Sequence, residues 1–390
     1  MPAPDVAALL VELERSEPEV ADEARTAVEW LTGGEPLETV TQLDVCEFLW
    51  FTLPTKVDGD RESTATSLGR LLRLGGLDRY AALCDSPTTT EILRTYEREG
   101  EEAGNTAYHQ ELKATGVLPP DVPELQWSTI MGPEELGAHV ACSAALELAM
   151  LTAADFDGQV GLTRRWLTEA RSELGGDSWL HRVQGERLNR WVLGRGTARR
   201  ELAQPFEVRL HAPVPAAPLP ALQGLLVLAA SEEGVPLRLP PSPEAIALRE
   251  LAEHSLGAIR HFGTRLIITA EGRRLLGSPE HLWEAATALL LAQGDSDVTV
   301  SACEAALLLL ASGDPLPWSR LCAKVSEVIG GEGWQPDDVA GTLATLLRHI
   351  TALGLGVALD GSVRLTPVGQ SAALAALRAH ALRPRKYVSV

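Results

Sequence analysis

A chain of 390 residues, 45% hydrophobic and 22% charged, has the balance of a folded protein and room for two or three domains of roughly 150 residues. Its formal net charge of −19 is unevenly placed: residues 1–150 carry 28 acids against 10 bases, and residues 151–390 carry 25 against 24. An acidic front half repels phosphate backbones and anionic lipid, which argues against nucleic acid or membrane as its partner.

The first residues have no basic segment, and Glu12 and Glu14 interrupt their short apolar run, so no export signal is expected. Leu9, Leu10 and Leu13 predict a first helix, and Glu19–Leu31 a second, closed by Gly33-Gly34. Gln42–Leu53 reads as a dense apolar helix stopped by Pro54, which has no N–H to donate. Leu68, Leu71 and Leu72 before Gly75-Gly76 mark another helix, and Thr88–Lys113 one or two more. Prolines 119, 120, 123 and 133 make residues 116–133 a stiff connector or a packed loop. Glu134–Leu151 resumes a helix, and Gly158–Ala203 reads as two or three Arg-rich helices carrying Trp166, Trp179 and Trp191. The alternation of Phe206, Val208 and Leu210 predicts a short strand. Pro213–Pro220 is the preferred domain boundary. The apolar stretches Leu219–Ala230 and Ala305–Ala311 fall short of the ~20 residues of a bilayer span. Five cysteines without a CxxC pair fit reduced, buried thiols and a cytoplasmic location.

The C-terminal part repeats at a constant offset of 97. Leu256-Gly257, Leu266-Ile267-Ile268-Thr269 and Gly272 match Leu353-Gly354, Val363-Arg364-Leu365-Thr366 and Gly369. Each copy reads as a helix ending at glycine, then a β-hairpin turning at Gly263-Thr264 or Asp360-Gly361, then a further helix whose N-cap is a threonine. That order is the second half of a winged helix-turn-helix. The fold expected is mainly α: a multidomain helical protein with two winged-helix-like units in its C-terminal part. Composition divides it into an acidic helical domain (1–115), a connector with the Arg/Trp-rich helices (116–212), and two winged-helix-like units (213–292 and 293–390). Tyr387–Val390 is an alternating apolar tail.

The stretch from Leu248 (LRELAEHSLGAIRHFGTRLIITAEGRRLLGSPEHLWEAA) resembles a recurrent segment of uncharacterised actinobacterial winged-helix-containing proteins, some of them plasmid-borne. The terminal ITALGLGVALDGSVRLTPVGQSAALAAL resembles the C-terminal winged helix of the same group, and QLDVCEFLWFTLPTKV and WSTIMGPEE are similar to segments of such proteins. The resemblance spans about a third of the chain and supports the fold; no established activity comes with it.

No GxxxxGK[ST], strand-borne GxGxxG, GxSxG or HExxH occurs, so neither a cofactor nor an enzyme is expected. Glu135, His139 and Cys142 stand at i, i+4 and i+7 on one helical face, but zinc would need a fourth ligand that the neighbourhood does not supply. A core cysteine bordered by histidine is the preferred reading, with no metal. Nine arginines lie between residues 160 and 200, among them Arg164, Arg165, Arg187, Arg190, Arg199 and Arg200, with Trp166, Trp179 and Trp191 interleaved. Exposed, they would suit stacked bases and phosphates; their planar forks equally suit carboxylates, and docking on the acidic half is preferred.

Around the first hairpin lie Arg260, His261 and Arg265, with Arg273 and Arg274 after it; Arg383, Arg385 and Lys386 form a basic tail. All are candidate contacts for nucleic acid or a partner. The helices entering the hairpins, Pro243–Ser255 and Pro336–Leu353, begin with acids, which is wrong for reading base edges. The expectation is a non-enzymatic cytoplasmic scaffold or adaptor that binds another protein. A DNA-binding winged-helix regulator is the alternative, and an enzyme without a recognisable motif comes third.

Overall fold

Helices dominate because the sequence supplies their ends as well as their faces. The computed structural model describes residues 5–152, 158–236, 242–291, 296–334 and 338–386. The tail Tyr387–Val390 lies outside them. The chain divides into two compact units, Met1–Val183 with Pro384–Val390, and Gln184–Arg383. The division falls inside a helix, whereas composition placed the boundary at the prolines of 213–220.

The first unit opens with α1 (Val6–Ser16), capped by Asp5, and α2 (Pro18–Thr32), which ends at Gly33 in the left-handed region. In α3 (Gln42–Glu47) Thr41 and Asp44 form a reciprocal capping box. Pro54 does not stop the chain there. The turn Phe48–Thr52 widens to a π-helix, Leu53 N–H bonds the Phe48 carbonyl, and Pro54 then sits in the first turn of α4 (Leu53–Lys56). A proline lacks only the donor that a first turn leaves unused, so the helix resumes beyond it. Helices α5 (Arg61–Leu74), α6 (Asp78–Cys84), α7 (Pro87–Glu99) and α8 (Glu101–Ala114) complete the acidic bundle. Residues 116–132 are a packed loop: Val122 and Leu125 pair as a bridge and join Ala138, Cys142, Leu167 and Val183 in a small core. Helices α9 (Pro133–Thr152) and α10 (Gly158–Thr168) follow, and α11 (Trp179–Leu193) carries the chain out of the unit.

In the second unit come α12 (Thr197–Ala203) and α13 (Glu207–His211). The strand expected over Phe206–Leu210 is not formed. Phe206 and Leu210 are buried and Val208 is exposed; a spacing of four satisfies one helical face as well as a strand face, and packing chose the helix. Then α14 (Pro220–Ala230), β1 (Val235–Pro236) and α15 (Pro243–Glu250) lead into the hairpin β2 (Ile259–Phe262) and β3 (Arg265–Ile268), followed by α16 (Ala270–Leu276) and α17 (Pro279–Ala288). The second copy runs α18 (Asp297–Leu310), β4 (Leu316–Pro317), α19 (Trp318–Gly330), α20 (Val339–Ala352), β5 (Gly356–Leu359), β6 (Ser362–Leu365) and α21 (Pro367–Ala381). The protein is therefore mainly α with two winged-helix-like units, whose antiparallel sheets have the orders β1-β3-β2 and β4-β6-β5.

The four identities of the repeat are the joints of these units. Gly257 and Gly354 hold positive φ, at 57° and 71°, where the entering helices end. Thr269 donates its hydroxyl to the Gly257 carbonyl at 2.7 Å and accepts from Gly272 N–H at 3.0 Å. Thr366 donates to the Leu355 carbonyl at 3.1 Å and accepts from Gly369 N–H at 3.0 Å. Gly272 and Gly369 lie so close to the Ala258 and Leu355 carbonyls that a β-carbon would fall on the oxygen. Each hairpin base is thus locked to the helix that follows it. Leu256 packs partly buried and Leu353 buried against the one apolar core that runs through both copies.

Candidate functional site: two wings and an arginine–glutamate cleft

In a winged helix the helix before the hairpin is the one that enters a DNA groove. Here those two helices, α15 and α20, pack on each other. Ala247 of α15 is buried, as are Leu251 and Ala252 in the π-turn that extends it, and so are Val339, Leu343, Leu346 and Ile350 along α20. His349, also on α20, is held below its ordinary pKa, chiefly by burial, then by Arg348 and against Glu250 of α15.

The wings are what each unit leaves outside. Strand register puts Arg260, Phe262, Arg265 and Ile267 on one face of the first hairpin, because Arg260 opposes Ile267 and Phe262 opposes Arg265. The corresponding face of the second hairpin holds Val357, Leu359, Ser362 and Arg364. Phe262 is 64% exposed and Leu359 66% exposed, both immediately before the turn and 97 residues apart. His261 points the other way, with Nε2 3.0 Å from Glu253 Oε1. Arg273 is exposed after the hairpin, and Arg274 is held bidentately by Glu271 at 2.6 and 2.8 Å.

The Arg-rich segment splits between the two units. Arg164 pairs with Glu124 at 2.6 Å and Arg182 with Glu134 at 3.7 Å. Arg165 is exposed. Arg187 is buried and donates to the Leu382 carbonyl at 2.5 Å, and Arg190 pairs with Glu186 at 2.5 Å. Arg200 is exposed and reaches the Arg195 carbonyl at 3.4 Å. Arg195 and Arg199 find their acids in the C-terminal half instead. Glu304 of α18 accepts from Arg195 Nε at 2.8 Å and Nη2 at 3.1 Å, and lies 3.3 Å from Arg199 Nη1. Glu332 accepts from the Gly196 N–H at 3.1 Å and pairs with Arg199 Nη2. The Arg199 side chain is 2% exposed and that of Glu304 1%, so Arg199 and Arg187 are unavailable to nucleic acid. Burying the pair requires that each charge keep its partners.

The basic tail also divides. Arg383 is exposed at the end of the second unit, 3.4 Å from His380 Nδ1. In the first unit, Arg385 N–H donates to Ser128 Oγ at 2.9 Å and its carbonyl accepts from Thr129 N–H at 2.7 Å, leaving the Arg385 and Lys386 side chains exposed. Glu135 is fully buried and accepts from Ser128 N–H at 2.7 Å and from its hydroxyl at 3.1 Å. Burial pushes Cys142 up to about 12 and His139 down to about 4. The helical triad is thus a capped carboxylate, a neutral histidine against Trp127, and a core thiol. No group of three metal-ligand side chains gathers among the described residues.

Sequence reading missed Glu304, Glu332 and the wing-tip pair. A lone acid inside the apolar run of α18 was the available signal for Glu304, and the offset of 97 was the signal for Phe262 and Leu359. No helix among the described residues is long and apolar enough to cross a membrane. No family model, curated protein or solved structure matches the chain.

Proposed function

We propose that the chain is a non-enzymatic cytoplasmic adaptor that binds another protein through its winged-helix-like units. The observation that carries this reading is the mutual packing of α15 and α20, which occupies the helices a DNA reader would offer to the groove. What remains outside is a pair of wing tips ending in Phe262 and Leu359, apolar side chains of the kind that anchor protein interfaces.

The second reading is a DNA-binding regulator that contacts phosphates through Arg260, Arg265, Arg273 and Arg274. Its support is the outer face of the first wing, where Arg260 and Arg265 flank Phe262 without an acid. One experiment separates the two. Duplex binding is measured across a salt series for the wild type and for a variant with the four arginines changed to Glu, and protein capture from native extract is measured with and without nuclease. The adaptor reading expects nuclease-resistant capture, lost on Phe262→Asp with Leu359→Asp, and no salt-dependent duplex binding. Duplex affinity that falls steeply with salt and disappears in the four-Glu variant would replace it with the regulator.

A further inference from the structure

Within the second unit, Arg195, Arg199, Asp297, Glu304, Glu332 and Arg383 line a cleft of about 690 Å³. Small-molecule sites fall in the range of roughly 300–1,000 Å³. The sequence builds one wall regularly: Asp297, Val300, Ser301 and Glu304 are i, i+3, i+4 and i+7 along α18.

The floor is the Arg199–Glu304–Glu332 network, and its two carboxylates are already satisfied by the arginines and the Gly196 N–H. Not every donor there is used. Arg199 Nε is buried and has no hydrogen-bond partner, although its side chain is almost wholly out of solvent. A buried guanidinium donor left unmade costs free energy. On the α18 wall Asp297 is exposed and Ser301 half-buried. His380 is pushed down from its ordinary pKa by burial and by Arg383, Arg195 and Arg199, against Glu304, and so stands in the cleft as a neutral imidazole near pH 7.

Charge decides the ligand class. Three guanidiniums, those of Arg195, Arg199 and Arg383, face three carboxylates, those of Asp297, Glu304 and Glu332. The charges of Arg195, Arg199, Glu304 and Glu332 pair with one another and leave two exposed opposite charges, Arg383 and Asp297. A bare anion would meet as much repulsion as attraction, and so would a bare cation. A molecule carrying both signs would not. Trp334 and Val300 add apolar surface for the rest of such a molecule.

We propose that this cleft binds a zwitterionic small molecule of the amino-acid type, its carboxylate paired with Arg383 and its ammonium with Asp297. The test is titration calorimetry on the full chain with a panel of free amino acids, beside acetate, inorganic phosphate and methylamine as single-charge probes. At least one amino acid should bind saturably, and Arg383→Gln and Asp297→Asn should each weaken it at least about tenfold. Both changes are at exposed positions, so unchanged thermal unfolding of the variants shows that the fold survives. Absence of saturable binding by every amino acid at millimolar concentration overturns the proposal. So does acetate or phosphate binding as tightly as the amino acid with no loss in Asp297→Asn, which would mark a plain anion site.

Discussion

The two winged-helix-like units share a skeleton and differ in almost everything attached to it. Both end the entering helix at a left-handed glycine, and both lock the hairpin base through a threonine hydroxyl and a glycine pressed against a carbonyl. Beyond those joints they diverge. The second copy places the 13-residue α19 between its first strand and α20, whereas only residues 237–242 separate β1 from α15 in the first. Its first helix, α18, buries Glu304 as half of an ion-pair network, while the corresponding α14 carries no charge at all. The first wing shows arginines around Phe262 and the second shows Val357 and Ser362 near Leu359. The repeated part is what makes a hairpin stand on a helix, and the unrepeated part is where partners and ligands would be chosen.

The largest expected effect breaks the asymmetry at Glu304. Glu304→Ala leaves the buried Arg199 guanidinium with Glu332 as its one carboxylate and strips Arg195 of both its hydrogen bonds to a carboxylate, and should cost about 3–5 kcal/mol in denaturant unfolding. Leu222→Ala on α14, a purely apolar deletion at a fully buried site, should cost about 2–5 kcal/mol and serves as the first copy's reference. Next come the joints. Gly272→Ala and Gly369→Ala each drive a methyl into a carbonyl and should each cost about 3 kcal/mol. A cost near zero at one of them would show that the two hairpin bases are not built alike.

A pH series sharpens the comparison further. His349 in the second copy has its folded pKa below the ordinary 6.5, and its counterpart 97 residues earlier is Ala252. Between the folded and unfolded values the unfolded chain binds more protons, so this contribution is whole above about pH 6.5 and is lost as pH falls. Unfolding measured from pH 7.5 downward should show a slope that His349→Ala flattens. The smallest effect is at the wing tips: Phe262→Ser and Leu359→Ser should each change stability by less than about 0.5 kcal/mol, since both side chains are exposed. Their consequence belongs in partner capture, and a large loss of stability instead would mean that the tips are structural.

Much of this is legible in the order of the residues. Short-range chemistry announces itself, as in the Thr366-Pro367 helix start, the Asp360-Gly361 turn with positive φ at both residues, and the apolar face of Leu343, Leu346 and Ile350. Two local readings failed because one pattern served two geometries. Phe206, Val208 and Leu210 fit a strand or a helical turn, and Pro54 ends a helix or opens its next turn once a π-turn precedes it. The arginines of 160–200 were readable as carboxylate seekers, yet which carboxylates they found was not.

By itself the chain order of residues determined the helices, the two hairpins and the joints between them, because caps, turns and face periodicity act over a few neighbouring residues. Only the tertiary structure decided that α15 and α20 cover each other, that Arg199 is buried between Glu304 and Glu332, and that Phe262 and Leu359 remain outside. Those outcomes depend on which apolar faces meet and on which distant charges are desolvated together, and neither is encoded in the spacing of neighbours along the chain.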